Sequence, residues 1–318
     1  MTNNSNKNIS SVSIIIPVYA CNDSIEILCF RLDKVISDLT SQFEIILVDD
    51  RSPDDPWQTI LKLQQSNPHI KAVQLSRNYG QHIAITAGLE IAKGDFAIVM
   101  DCDLQDPPEK IPEMFDELSK GYDYVLAKRK TRTHSFFRTS ASYLYYKLHS
   151  LSENDSFDSE FGAFSLLKRK VINAFLEFRE KERHYLFILR WVGFNMGSIE
   201  YDHLERPIGE SSYTLKKLIQ HAIDGIFFQT TVFLKWIVML GLFSSLSGVI
   251  LAIYYIIRYF NTGAAEGWTS IVTLILVCTG LILSSIGIVG LYIGKIFDQT
   301  KERPLYIINT VSESKADW

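Results

Sequence analysis

The chain has 318 residues, of which 21% are charged and 47% hydrophobic, and its formal net charge is −4 at pH 7. This composition excludes a disordered or collagen-like chain, and the lack of a global positive charge predicts that the protein does not bind nucleic acid. The length corresponds to about two domains, and a mean hydropathy of +0.06 implies that apolar residues are concentrated in one part of the chain.

The first two hundred residues alternate apolar strands with amphipathic helices. Strands are predicted at Val12–Tyr19, Phe43–Asp49, Ile70–Ser76, Asp95–Met100 and Tyr122–Ala127, and helices at about 24–39, 56–66, 80–92, 109–119 and 134–150. Nearly all-apolar strands that alternate with helices predict an α/β fold whose mostly parallel sheet is covered by helices on both faces. Ligands bind such sheets beyond the carboxyl ends of the strands.

The four cysteines, Cys21, Cys29, Cys102 and Cys278, are scattered along the chain without a CxxC pair. Such spacing argues against a disulfide framework or a structural zinc site. The expected environment is therefore a reducing compartment.

An acidic turn ends the second predicted strand at the edge where ligands bind. Asp49 or Asp50 could accept hydrogen bonds from a nucleotide base or from ribose hydroxyls. The alternative is a capping role at the next helix, which we expect of Ser52 and Asp54 in either case.

The segment Asp101–Glu109, with the sequence DCDLQDPPE, is the richest in candidate ligands. Asp101 and Asp103 occupy alternate positions after the fourth predicted strand, and the Pro-Pro pair forces a turn, so both carboxylates can aim at one point. With the amide oxygen of Gln105 they predict a site for Mg²⁺ or Mn²⁺ that leaves coordination positions for substrate phosphates. A solvated acidic turn is the alternative.

Basic residues then follow the fifth predicted strand. The segment 128–138 contains Lys128, Arg129, Lys130, Arg132 and Arg138 and no acid. In a membrane-anchored protein such a segment suits anionic headgroups or a lipid phosphate, and a solvated face is the alternative. Farther along, Arg206, Ser211 and Tyr213 belong to a Gly-Ser turn that could bind a phosphate or be a plain loop.

Two uncharged segments, 236–257 and 268–294, lie near the C-terminus. Each is long enough to cross a hydrocarbon core of about 30 Å as a helix. They predict a transmembrane hairpin after a domain at 1–210 and juxtamembrane amphipathic helices at 211–235, with a tail at 295–318. A pair of buried core helices is the alternative.

Basic residues flank the predicted hairpin on both sides, whereas its connecting turn contains only Arg258. The positive-inside rule then predicts that the N-terminal domain and both termini are cytoplasmic and that the chain is multi-pass in the cell inner membrane. The polar N-terminus predicts no signal peptide. Small residues on the apolar segments favour a homo-oligomer; they are Gly241, Gly248, Gly280, Gly287, Gly290 and Gly294.

Together these motifs resemble the polyprenyl-phosphate glycosyltransferases of glycosyltransferase family 2, which include dolichol-phosphate mannose synthase and bactoprenol glucosyltransferases. The resemblance is carried by Ile14–Tyr19, Val48–Ser52, Leu75–Gly80, Ala87–Leu89, Asp101–Glu109, Arg206–Tyr213, the apolar hairpin and Arg303–Tyr306. It implies a GT-A fold and a metal-dependent, inverting hexosyltransferase for cell-envelope glycan modification. The implied partners are a nucleotide sugar, with UDP-glucose or a related hexose as the family-level expectation, and a polyprenyl phosphate such as undecaprenyl phosphate in the cytoplasmic leaflet.

The resemblance also implies roles for individual residues. The nucleotide sugar would contact Pro17, Tyr19, Asp49, Asp50, Asn78 and Asp101. The metal and the diphosphate would be held by Asp101, Asp103 and Gln105. The phosphates of lipid or donor would contact Arg129, Arg132, Arg138, Arg206, Ser211 and Tyr213. The catalytic carboxylates would be Asp103, Glu160 and Asp158.

The chain departs from the family pattern at three places. Tyr19–Cys21 stands where the family often has Tyr-Asn-Glu, which bears on recognition of the base. Gly162–Ser165 stands where many members have Gly-Asp-Phe-Arg, so a commonly proposed catalytic Asp is absent, and Glu160 with Asp158 behind it is the nearest substitute. Gly209–Tyr213 lacks the lysine of the common Gly-x-Ser-Lys-Tyr.

The missing Asp leaves the implied chemistry feasible. The nucleophile is an oxygen of a phosphate monoester, whose second pKa is about 6, so it is mostly dianionic near neutral pH. Because no proton must be removed from it, a carboxylate at Glu160 would position groups rather than act as an obligatory base. The demanding tasks are to bring two anions together and to stabilise the departing diphosphate.

Two other functions stay open at this point. One is a membrane glycosyltransferase whose acceptor is a glycan or a lipid-linked sugar. The other is a catalytically silent partner of a glycan assembly complex, which the missing Asp and Lys suggest. The retained Asp101, Asp103 and Gln105 argue against a silent partner.

Overall fold

A computed structural model describes residues 9–130, 161–181, 183–202, 232–262 and 267–312. These residues fall into two compact units. The first contains the described residues up to Lys130, those from Phe161 to Asp202, and those from Pro304 onward. The second contains the described residues between Val232 and Arg303.

The first unit begins with strands and helices in alternation. They are β1 (Val12–Val18), α1 (Asn22–Ser37), β2 (Phe43–Asp49), α2 (Trp57–Ser66), β3 (Ile70–Leu75), α3 (Gln81–Ile91), β4 (Phe96–Val99), α4 (Ile111–Leu118) and β5 (Tyr124–Arg129). After the undescribed residues 131–160 follow β6 (Phe161–Lys168), α5 (Arg169–Glu177), α6 (Tyr185–Trp191) and β7 (Met196–Tyr201). The strand β8 (Ile308–Ser312) completes the unit.

The described strands form a single sheet in the order β7-β5-β6-β4-β1-β2-β3-β8. The pairings of β1 with β2, β1 with β4, β2 with β3 and β5 with β7 are parallel. Strand β6 runs antiparallel between β4 and β5, and β8 runs antiparallel along β3. The predicted α/β fold with a mostly parallel sheet is therefore confirmed.

Burial explains why the central strands are almost uniformly apolar. Every residue of β1, β2 and β3 is buried, as expected for strands that are covered on both faces. On one side, α1 packs Leu28, Leu32 and Ile36 into the main core cluster. Helix α3 approaches closely, since a Cβ added at Gly88 would lie 2.4 Å from the side chain of Ile15.

The five predicted strands are present, with ends that differ by at most two residues. The predicted helix at 134–150 lies outside the described residues. The sequence analysis did not predict β6, β7, β8, α5 and α6. Strand β7 shows why. Its alternation of buried and more exposed residues covers only the six residues Met196–Tyr201, which is a short stretch in which to recognise a pattern.

One expectation about the cysteines is corrected. Cys21 and Cys102 form a disulfide, with their Cα atoms 6.2 Å apart. The separation of 81 residues in sequence hides this pairing. The two cysteines nevertheless follow β1 and β4, which are neighbours in the sheet, so the chain segments beyond these strands lie side by side.

The second unit contains two long helices, α7 (Val232–Thr262) and α8 (Trp268–Thr300). Within the described residues, one segment, Val277–Thr300, is long and apolar enough to cross a membrane, with a mean hydropathy of 2.0. A shorter apolar segment, Ile237–Gly248, lies in α7.

Candidate active site

The loops after β1, β2, β3 and β4 all leave the sheet at one edge, because these four strands are parallel. Three of these loops hold a non-glycine residue in the left-handed region: Ala20 with φ 54°, Arg51 with φ 52° and Leu104 with φ 64°. Such a conformation costs a side chain about 1–2 kcal/mol. Conformations of this kind cluster at ligand sites, where the surrounding structure holds them in place. This edge is therefore the candidate site.

Asp50 joins two of these loops. It is 2% exposed, and its carboxylate oxygens accept hydrogen bonds from the backbone N–H groups of Tyr79 at 2.7 Å and Gly80 at 2.8 Å. Burial raises the pKa of Asp50 to about 6, although the two backbone hydrogen bonds act to lower it. The structure thus assigns Asp50 a positioning role at the start of α3.

Asp49 is equally buried and lies one residue earlier, at the end of β2. One carboxylate oxygen accepts the backbone N–H of Ser52 at 3.0 Å, and the other accepts the side-chain amide of Gln74 at 2.9 Å. The hydroxyl of Ser52 in turn accepts the backbone N–H of Ala20 at 2.7 Å. These bonds connect the loops after β1 and β2.

In the acidic turn after β4, half-buried and buried residues alternate along the chain. Asp101, Asp103 and Gln105 are half-buried, whereas Cys102, Leu104 and Asp106 between them are buried. The turn is closed by a hydrogen bond from the backbone N–H of Gln105 to the Asp103 carboxylate at 3.2 Å. The residues predicted to hold a metal are therefore the more exposed members of the turn.

Gln81 is a neighbour of this turn that the sequence analysis missed. Its side-chain amide donates a 2.6 Å hydrogen bond to the carboxylate of Asp101. Gln81 is the first residue of α3 and follows the Asp50-bound Gly80. Its place after the third strand, at the same edge as Asp101, was the available signal.

Asp106 anchors the buried side of the acidic turn. The Tyr201 hydroxyl donates to its carboxylate at 2.5 Å, and the Arg129 guanidinium donates to Tyr201 at 3.1 Å. Burial raises the pKa of Asp106, against the lowering effects of Tyr201 and Arg129. Burial likewise raises the pKa of Tyr201, which therefore keeps its proton as the donor. Arg129 is thereby held near the acidic turn.

Gly162 on β6 provides the space that Arg129 occupies. A Cβ added at this glycine would lie 2.8 Å from a terminal nitrogen of the Arg129 guanidinium. Gly162 belongs to the segment where the chain departs from the family pattern. The segment therefore contributes to the site by placing Arg129.

The remaining predicted residues divide into two groups. Pro17 is buried inside β1, whereas Tyr19 and Asn78 are exposed in the loops after β1 and β3. Outside the described residues lie Arg132, Arg138, Asp158, Glu160, Arg206, Ser211 and Tyr213. Their roles stay predictions.

The donor set of the acidic turn fits a divalent ion. Among the described residues, no three His, Cys, Asp or Glu side chains are grouped to hold an ion by themselves. Mg²⁺ in particular is commonly bound by one or two carboxylates together with substrate phosphates. Asp101 and Asp103 could supply those carboxylates.

A comparison with known protein families shows the family to which the chain belongs. Residues 13–176 match the family described as Glycosyl transferase family 2. The chain belongs to glycosyltransferase family 2. This stretch runs from β1 into α5 and contains the acidic turn and both Asp49 and Asp50.

Relatives in family 2 match this chain along almost its whole length. The uncharacterized glycosyltransferase YkcC of Bacillus subtilis is 34% identical over 298 residues, which cover 93% of this chain and 92% of the relative. The undecaprenyl-phosphate 4-deoxy-4-formamido-L-arabinose transferase of Photorhabdus laumondii is 32% identical over 307 residues, covering 95% and 94%. The resemblance to the polyprenyl-phosphate members of the family is confirmed.

Solved structures support the GT-A-like fold. Glucosyl-3-phosphoglycerate synthase from Mycobacterium tuberculosis, in complex with Mn²⁺ and UDP-glucose, superposes with a TM-score of 0.51. The match covers 70% of this chain and 78% of that protein at 12% identity. At this identity the likeness concerns the fold alone.

Proposed function

We propose that the protein transfers a sugar from a nucleotide sugar to a polyprenyl phosphate, with inversion at the anomeric carbon. One observation carries the proposal. The half-buried side chains of the acidic turn, Asp101, Asp103 and Gln105, lie at the same sheet edge as Gln81 and as the loops held by Asp49 and Asp50. The named activity of the Photorhabdus laumondii relative supports undecaprenyl phosphate as the acceptor. UDP-glucose or a related hexose is the proposed donor.

The acidic turn would bind the donor diphosphate. Asp101 and Asp103, with Gln105, would hold Mg²⁺ or Mn²⁺, which stabilises the negative charge of the departing nucleoside diphosphate. Gln81 would fix the orientation of the Asp101 carboxylate through its 2.6 Å hydrogen bond. Tyr19 and Asn78 would contact the base or the ribose, with Pro17 and the buried Asp49 and Asp50 behind them.

Cationic and hydroxyl side chains would bind the acceptor. Arg129 is held by Tyr201 and by the space at Gly162, and a fixed guanidinium suits a phosphate. Arg132, Arg138, Arg206, Ser211 and Tyr213 would complete the phosphate site. Glu160 and Asp158 would orient the acceptor, since the phosphate nucleophile already lacks its proton at neutral pH.

We further propose that α7 and α8 cross the membrane as a hairpin. The chain would be multi-pass in the cell inner membrane, with the first unit and both termini in the cytoplasm. Residues 211–235 would form juxtamembrane helices, and glycines on α7 and α8 would support a homo-oligomer.

A transfer assay on the full chain tests the proposal. Purified protein in detergent receives a panel of radiolabelled nucleotide sugars, Mg²⁺ or Mn²⁺, and undecaprenyl phosphate, with EDTA and with undecaprenol as controls. Label that enters the organic phase only with both metal and lipid phosphate supports the proposal. Nucleotide binding is measured in parallel. If no donor labels the lipid although nucleotide binds in a metal-dependent way, the glycan-acceptor alternative is supported, and absence of nucleotide binding supports a silent partner.

A further inference from the structure

A chain of hydrogen bonds connects strand β8 to the predicted nucleotide site. The Asn309 amide donates to the Gln74 carbonyl oxygen at 2.9 Å, and the Gln74 amide donates to the Asp49 carboxylate at 2.9 Å. Asp49 then accepts the backbone N–H of Ser52 at 3.0 Å. The hydrogen bonds therefore connect Asn309, in the C-terminal part of the chain, to Ser52, in the loop after β2.

The chemistry of each group fixes the direction of this chain. The Gln74 NH₂ group is turned toward Asp49, whose carboxylate oxygen accepts its hydrogen bond. Its carbonyl oxygen then faces β8 and requires a donor, which the NH₂ group of Asn309 supplies. Gln74 is 5% exposed and Asp49 is 2% exposed, so little water can replace a lost partner and the loss is correspondingly costly.

The backbone of β8 is irregular at this position. Leu75 pairs with Ile308 and Gln74 pairs with Thr310, so Asn309 is an extra residue between two paired ones. Such bulges re-aim a side chain and are over-represented beside active sites. The chain is fixed on the other side of the bulge by a 2.8 Å hydrogen bond from the backbone N–H of Ser76 to the carbonyl of Ile307.

We propose that Asn309 is a positioning residue for the nucleotide, acting through Gln74 and Asp49 on the turn that carries Asp50 and Ser52. The C-terminal strand would thus be a structural part of the donor site. This inference rests on the proposed function, because it requires that the edge binds a nucleotide. The competing account is that β8 merely covers the edge strand β3.

The same strand offers a matched control. The Ser312 hydroxyl donates a 2.7 Å hydrogen bond to the Gln64 side chain. Ser312 pairs with Ala72, toward the opposite end of β3 from the candidate site. Ser312→Ala removes the side-chain hydrogen bond to Gln64, whereas Asn309→Ala removes those to Gln74 and to the Thr310 hydroxyl. Only Asn309→Ala breaks the chain to Asp49.

The test measures nucleotide affinity of the full-length wild type and both variants by calorimetry, with Mn²⁺ and whichever of UDP, GDP, CDP and dTDP binds the wild type best. We expect about fivefold weaker binding for Asn309→Ala, the value of one lost hydrogen bond. Ser312→Ala should bind like the wild type. In turnover, Asn309→Ala should raise the donor KM while kcat and the lipid-phosphate KM stay unchanged.

Thermal melting of both variants separates positioning from general destabilisation. Suppose that the wild type binds nucleotide and that both variants bind it equally tightly. This result would overturn the inference and leave the proposed function intact. Equal losses of affinity in both variants would also overturn it. If the wild type binds none of the four nucleotides, the proposed function and the inference both fail.

Discussion

Asp50 is buried, yet its carboxylate accepts two backbone hydrogen bonds at the start of α3. Burial raises its pKa from 3.8 to about 6. Because the folded protein binds this proton more tightly than the unfolded chain, the group favours folding at low pH. That contribution is lost as the pH rises through about 6.

Asp50→Asn removes this titration. The melting temperature of the variant, relative to that of the wild type, should therefore rise between about pH 4 and about pH 7. The measurement is a series of thermal melts across that range. Asp55→Asn, at an exposed carboxylate on the same turn, is the control, and a constant difference for Asp50→Asn would contradict the assignment.

Two of the three predicted catalytic carboxylates, Asp103 and Glu160, should differ in importance for turnover. Asp103→Ala should abolish turnover, because it removes a carboxylate that would hold the ion at the leaving diphosphate. Glu160→Ala should only reduce turnover, since the acceptor phosphate needs no base. Steady-state kinetics with saturating donor and acceptor measure both, and equal losses would contradict this division of roles.

At the scale of elements, β6 and β5 together place Arg129. Gly162→Ala would put a Cβ 2.8 Å from the present position of its guanidinium, so the side chain must move away from Tyr201. We expect kcat/KM for the lipid phosphate to fall about tenfold, as for the loss of a hydrogen bond to a charged group. Melting should change little, because the end of a flexible side chain can shift.

A double-mutant cycle checks that this loss acts through Arg129. In an Arg129→Ala background, Gly162→Ala should cause no further loss of kcat/KM. Independent, multiplicative losses would show that Gly162 matters for another reason.

The elements also show which parts of the fold the sequence can predict. Strands β1 to β5 are predictable because most of their residues are buried, so that each is a mainly apolar run between amphipathic helices. Strand β8 and the disulfide are not, because both depend on contacts between segments far apart in sequence, such as Asn309 with Gln74.

The candidate site was predictable to a similar extent. The position of Asp49, Asp50, Asp101 and Asp103 at one edge follows from strand order alone. Their hydrogen-bond partners do not, because Tyr201 and Gln81 come from segments without a recognised motif. The buried state of Asp49 and Asp50, which turns them into positioning groups, also depends on the packing of neighbouring loops.

At the scale of the whole molecule, membership of glycosyltransferase family 2 agrees with the GT-A-like, mostly parallel sheet. Residues 13–176 carry the family 2 match, and the two relatives match at least 93% of the chain. The proposed lipid-phosphate acceptor would explain why a GT-A-like unit is joined to a segment, Val277–Thr300, that is apolar enough to cross a membrane.

The most direct test is mass spectrometry of the lipid made by the full-length protein from undecaprenyl phosphate, Mn²⁺ and the nucleotide sugar that it binds best. The wild type should form the sugar-linked undecaprenyl phosphate, and Asp103→Ala, assayed in parallel, should form none. EDTA should stop the wild-type reaction. A wild type that binds the nucleotide sugar but leaves the lipid phosphate unmodified would contradict the account, as would an Asp103→Ala variant that makes the same product at the same rate.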